Sequence, residues 1–177
     1  MEQTKKWAVE PLVPQEVYTD REEFIDYFYN AALNAIGRRT VSGALLGQRR
    51  MGKTEIFKRV VNRLFFEQDH RDPAAAVPVF YQFPDEVTDG KDFSLKYVRN
   101  FLRWYAAFRM RDIRILSKPR DLHDLILLIE ERMEISEGLS VAIDFARAVM
   151  NDRLCVSPEQ ETVGLPREVA AIDDKTI

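Results

Sequence analysis

Cys155 is the one cysteine among 177 residues, which excludes a disulfide framework and every multi-cysteine metal site. His70 and His123 are the only histidines, and neither has a cysteine or acidic pair at metal-ligand spacing, so capping or surface roles are expected of both. Cys155 has no histidine or lysine close in sequence to activate it and reads as a small buried hydrophobe. No run reaches the ~18 apolar residues that span a bilayer. Residues 1–7 also lack the apolar core of a signal peptide. A charge excess is missing too. The 26 Lys and Arg against 29 Asp and Glu leave −3, so the whole-molecule field gives no pull toward nucleic acid or acidic lipid. A reducing, cytoplasmic setting is expected, with no membrane and no indicated nucleic acid.

What the sequence does contain is enough apolar material for a core, 46% hydrophobic and 11% aromatic, in a chain of ordinary single-domain length. Residues 1–18, with Pro11 and Pro14 and no helical period, read as an extended N-terminal arm; residues 19–177 read as one domain. Thr19-Asp20-Arg21-Glu22 has the spacing of a capping box, and the apolar steps Phe24, Ile25, Phe28, Ala31, Ala32 and Ala35 predict a helix that Gly37 ends. Ile56, Phe57, Val60, Val61 and Leu64 predict a second helix. Between residues 92 and 110, Tyr97, Phe101, Trp104 and Phe108 predict a third, apolar over most of its circumference and packed on two sides, with Lys96, Arg99 and Arg103 as its polar strip. Asp121 reads as the N-cap of a helix carrying Leu122, Leu125, Ile126, Ile129 and Met133, and residues 139–150 as another. Residues 158–166 read as linker, and Val169 to Ile172 as a short last helix.

Two short apolar runs, residues 40–46 and 77–83, predict strands, the second near a strand start or edge because of Pro78. The first runs directly into Gly47-Gln48-Arg49-Arg50-Met51-Gly52-Lys53-Thr54, a full match to G-x-x-x-x-G-K-[ST]. A chance match in a chain this long is on the order of one in a hundred, and an apolar run before it and an amphipathic helix after it make chance rarer. Each fixed position has a job. Gly47 and Gly52 let the backbone turn so that successive N–H groups converge on an anion. Lys53 reaches the β- and γ-phosphates, Thr54 offers its hydroxyl to Mg²⁺, and the helix N-terminus adds partial positive charge. Gln48, Arg49, Arg50 and Met51 supply backbone amides to the same cradle. Arg49 and Arg50 are equally open to a phosphate contact and to simple solvation.

On these residues the chain resembles the P-loop ATPases of the AAA+ and STAND classes, especially prokaryotic ATPases whose loop reads Gly-x-Arg-Arg-x-Gly-Lys-Thr. Tyr18-Thr19-Asp20-Arg21-Glu22 is similar to the aromatic-x-x-Arg-Glu segment that starts a helix upstream of the loop in that family. The resemblance covers residues 17 to about 83 well. It implies an α/β P-loop fold, a parallel sheet flanked by helices, helix-rich here and incomplete at its C-terminal end. It also implies ATP and Mg²⁺ as ligands, hydrolysis coupled to a conformational switch, and an arm near Val17 and Tyr18 passing close to the adenine. The absence of an Asn-Lys-x-Asp guanine-reading motif leans toward ATP.

The family also requires a strand ending in two acids, the first for Mg²⁺ and the second for the attacking water. Ser140-Val141-Ala142-Ile143-Asp144 is the nearest candidate, but Phe145 follows it, and its apolar residues share a helical face, so Asp144 reads as a solvated helix residue. Asp173-Asp174 follows a run too short and alanine-rich for a central strand. The expectation is an N-terminal fragment of a longer ATPase, with no catalytic residue assigned in this chain. Apolar surface around Val41 to Leu46 and Val79 to Phe83 would then stand open to self-association or a partner chain. Two further readings remain: a nucleotide-binding regulatory or remnant module without turnover, and a small-molecule kinase. The basic residues Arg109, Arg111, Arg114, Lys118 and Arg120 read as a solvated helix end rather than a nucleic-acid patch.

Overall fold

Apolar residues at three- and four-residue steps, started by small polar caps, are what the chain turns into structure. The computed structural model describes residues 7–18, 21–37, 43–83, 89–118, 121–153, 157–174 and 177. These hold seven α-helices: α1 (Glu22–Asn34), α2 (Lys53–Glu67), α3 (Gly90–Arg109), α4 (Arg114–Ser117), α5 (Leu122–Arg132), α6 (Glu137–Met150) and α7 (Pro158–Ile172). The chain divides into two compact units, Met1–Pro78 and Val79–Lys175.

The first unit is built on α1 packed against α2. Ile25, Ile56, Val60 and Leu64 form its buried core, with Phe28, Tyr29, Leu33 and Leu45 against them. Phe28 meets the Phe57 ring at 5.0 Å. α1 starts with Arg21 at its N-cap; Thr19 and Asp20 of the expected capping box lie outside the described residues. At the far end of α2, the Gln68 side chain clips the following segment, accepting from the Ala76 N–H at 2.8 Å and donating to the Ala76 carbonyl at 2.8 Å.

The second unit is organised around α3, which packs against α4, α5, α6 and α7. Val98, Phe101, Leu102, Ala106, Ala107 and Phe108 are completely buried, as the broad apolar circumference of this helix predicts. The caps are local and readable. Asp121 accepts from the Asp124 N–H at 2.7 Å, and Asp89 from the Asp92 N–H at 2.8 Å. Residues 158–166 are helix rather than linker: Pro158 opens α7 at a position where its missing N–H costs nothing, and Thr162, Leu165 and Val169 form one buried stripe. At its end Asp173 turns back on α6, accepting from the Ser136 hydroxyl and from the Gly138 N–H at 2.8 Å. A distant carboxylate thus caps the α6 N-terminus.

The expected parallel sheet is absent: the described residues contain no β-strand, and the fold is all-α. A strand needs a neighbouring strand for its backbone groups, and among the described residues neither apolar run has one. Residues 40–42 lie outside the described residues. From 43 to 46 the chain makes no backbone-to-backbone hydrogen bond among the described residues, Leu45 tucks against the α1–α2 core, and Leu46 is 89% exposed. The second run is split by the boundary between the units after Pro78. There the Asn100 side chain donates to the Phe80 carbonyl at 3.0 Å, and the Tyr81 ring packs 4.9 Å from that of Tyr97. Side chains of α3 have taken the place of a strand partner. Phe83 remains 69% exposed.

Gly138 tolerates little change, since a Cβ there would lie 2.7 Å from the Val169 carbonyl oxygen, a backbone atom, and 2.9 Å from the Asp173 carboxyl carbon. Gly138→Ala should lower unfolding stability by about 1–3 kcal/mol, read as a fall in the urea midpoint. Gly164→Ala, with open space around it, should leave the midpoint unchanged or raise it.

Candidate functional site

Residues 47–54 form the exposed turn that enters α2. Gly47 is nearly extended at φ 158°, Arg50 and Gly52 take left-handed conformations at φ 67° and 75°, and Gly52 is the α2 N-cap. A left-handed backbone suits glycine at 52, whereas Arg50 holds it at a cost. Gln48, Arg49, Arg50, Met51, Gly52 and Thr54 are exposed and Lys53 is half-buried. The first helical hydrogen bond runs from the Ile56 N–H to the Gly52 carbonyl at 3.1 Å. The amides of residues 52–55 precede it and have no partner inside the helix, which leaves this end electropositive.

Two cations hold the loop carbonyls. The Lys53 ammonium folds back to donate to the Gly47 carbonyl at 2.7 Å and the Gln48 carbonyl at 2.6 Å. Arg21, from the start of α1, donates through Nη1 to the Met51 carbonyl at 2.6 Å. The structure thus brings Gly47, Gln48, Met51, Gly52 and Lys53 into one tight turn and adds Arg21. Thr54 stands exposed at the second residue of α2.

Behind the loop, α2 carries a buried polar face. Glu55 and Arg59, both almost completely buried, pair at 2.7 Å. The N-terminal arm satisfies what remains of them. The Leu12 N–H donates to Glu55 at 2.6 Å, Arg59 donates to the Val13 carbonyl at 2.7 Å and to the Gln15 side chain, and the Arg59 guanidinium lies 3.8 Å from the Tyr18 ring centroid. One turn further on, Asn62 accepts from the Ala8 N–H at 2.8 Å and donates to the Val9 carbonyl at 2.7 Å, and Lys58 donates to the Glu10 carbonyl at 2.8 Å. The arm is therefore strapped along α2. Burial pushes the Tyr18 hydroxyl above its ordinary range, although the charge of Arg59 pulls the other way. A cavity of about 390 Å³ lies beside it, lined by Trp7, Tyr18, Arg59, Arg63 and Phe66 among others.

The sequence reading placed Arg21 only in the helix-starting segment upstream of the loop, and did not single out Glu55, Arg59 or Asn62 as site or scaffold residues. The i,i+4 spacing of Glu55 and Arg59 was the available signal for their pair, but the same spacing is common on solvated helix faces. Asp144 is an exposed residue of α6, as its helical surroundings predict, and Asp173 is a helix cap. Cys155 and Arg120 lie outside the described residues. Among the described residues no three His, Cys, Asp or Glu side chains are grouped as metal ligands, and no helix is long and apolar enough to cross a membrane.

Two measurements check this arrangement. Gly52→Ala should cost about 1–2 kcal/mol because φ 75° disfavours a Cβ, while Arg50→Gly should be at least as stable as the parent in the same urea titration. Asn62→Ala should speed hydrogen exchange at the Ala8 and Val9 amides by about tenfold or more, with the amides of the α1–α2 core unaffected.

Comparison with models of protein families, with curated proteins and with solved structures returns no match for this chain.

Proposed function

We propose that residues 47–54 bind the triphosphate of ATP together with Mg²⁺, in the manner of the AAA+ and STAND ATPases whose loop this one resembles, and that the chain serves an ATP-driven conformational switch. The observation that carries the reading is the full Gly-x-x-x-x-Gly-Lys-Thr motif seated on the N-terminus of a 15-residue helix with its lysine folded over the turn. Gly52, Lys53 and Thr54 would offer their amides to the phosphate oxygens. Lys53 would share its ammonium between loop carbonyls and phosphate, and Thr54 would give Mg²⁺ one hydroxyl oxygen, the rest of its shell coming from phosphate and water. Bound Mg²⁺ would neutralise charge on the phosphates.

A second reading, nucleotide binding without turnover, is favoured by how the nearby acid is used. Glu55, the first carboxylate after Lys53, is committed to Arg59 and the Leu12 amide, and so is not free to orient water. Asp144 and Asp173 have the solvated and capping roles described above.

A titration of labelled ATP with and without Mg²⁺, run beside a phosphate-release assay, tests both. Saturable, Mg²⁺-strengthened binding that Lys53→Ala weakens by about a hundredfold is the expected result. Phosphate release that tracks occupancy favours the ATPase; binding with no release favours the second reading. No saturable binding, or binding indifferent to Lys53→Ala, overturns the proposal.

A further inference from the structure

We propose that Arg21 is a positioning residue of the loop: through the Met51 carbonyl it turns the Gly52 amide toward the phosphate. The inference rests on the reading of the loop as a triphosphate cradle and gives Arg21, which lies outside the Gly-x-x-x-x-Gly-Lys-Thr motif, a role in shaping that loop.

The argument begins with the peptide group. The carbonyl of one residue and the N–H of the next lie trans in a rigid plane, so fixing the oxygen fixes the direction of the hydrogen. Lys53, holding the carbonyls of Gly47 and Gln48, therefore orients the amides of Gln48 and Arg49. The Gly52 amide belongs to a different peptide plane. Its carbonyl partner is that of Met51, and the group that holds this oxygen is the Arg21 guanidinium at 2.6 Å. That plane needs an external hold. It is bounded on one side by the left-handed Gly52 and lies one residue after the left-handed Arg50, and glycine at 52 gives the chain its widest freedom there.

Arg21 is itself well placed. Its side chain makes no capping bond to α1, although it occupies the N-cap position. Its carbonyl accepts from the Ile25 N–H at 3.3 Å, and Ile25 packs in the core with Ile56 of α2. The α1–α2 packing thus sets the distance between Arg21 and the loop. Arg21 Nη1 also lies 4.0 Å from where a Cβ on Gly52 would project, so the guanidinium sits directly against this turn.

The test uses the ¹⁵N-labelled full chain titrated with inorganic tripolyphosphate, which has neither base nor sugar. In the parent, the amide resonances of Gln48, Arg49 and Gly52 should move together. In Arg21→Gln the Gly52 response should be lost while Gln48 and Arg49 still move, with affinity about tenfold weaker. Arg21→Met, which keeps the aliphatic stem, should behave alike. Arg21→Lys, which can still donate to the Met51 carbonyl, should regain the Gly52 response. An unchanged Gly52 response and affinity in both Arg21→Gln and Arg21→Met overturns the role of Arg21. A parent chain in which ATP binds but no loop amide responds to tripolyphosphate also overturns it, and one that binds neither overturns the phosphate-loop reading as well.

Discussion

A buried charge pair is tolerated only when every remaining donor and acceptor around it is satisfied, and the first unit is arranged about one such pair. Glu55 and Arg59 are buried beside the apolar stripe of α2, and desolvating them would cost several kcal/mol per ion if they were left alone. The arm supplies what they lack: an N–H from Leu12, a carbonyl from Val13, the Gln15 side chain and the Tyr18 ring. The described part of the arm, residues 7–18, has no regular structure beyond a short turn at 15–17 and is thereby held along a helix by side chains rather than by strand pairing. The same helix packs an adjacent face against α1 through Ile56, Val60 and Leu64, so its position is fixed from two sides.

That fixed helix gives the loop its setting. The turn from 47 to 52 is exposed and contains two left-handed residues, a conformation that its own sequence would hold weakly. Lys53 from within and Arg21 from α1 hold its carbonyls. Holding carbonyls by cations presents amides on the opposite side of each peptide plane, which is the requirement for an oxyanion nest. The scaffold and the candidate site are thus linked through α2. A displacement of α1 would be felt at Met51 and Gly52.

Much of this was legible residue by residue. The stripe at Ile56, Val60, Val61 and Leu64, the broad apolar face of α3, the Asp121 cap and the helical nature of residues 140–144 follow from spacing and capping chemistry. The Gly-Lys-Thr turn was legible for the same reason, because its shape depends on local backbone geometry. The strands were misread because a short apolar run carries no mark of whether a partner will lie beside it. Residues 43–46 instead place Leu45 against the core, and Tyr81 meets α3. α7 was misread in the opposite direction. Only its end, Val169 to Ile172, was read as helix and residues 158–166 as linker, yet Thr162, Leu165 and Val169 stand at three- and four-residue steps and are buried.

Local chemistry, then, determined the helices, their caps and the glycine-bounded turn at residues 47–54, since each depends on residues within a few positions of one another. Tertiary structure decided which charges are buried, where the arm lies, that no sheet forms among the described residues, and that Arg21 reaches the Met51 carbonyl. These depend on groups brought together from 30 to more than 50 positions apart, and on whether a desolvated group finds its partner there. No periodicity within either segment encodes that meeting.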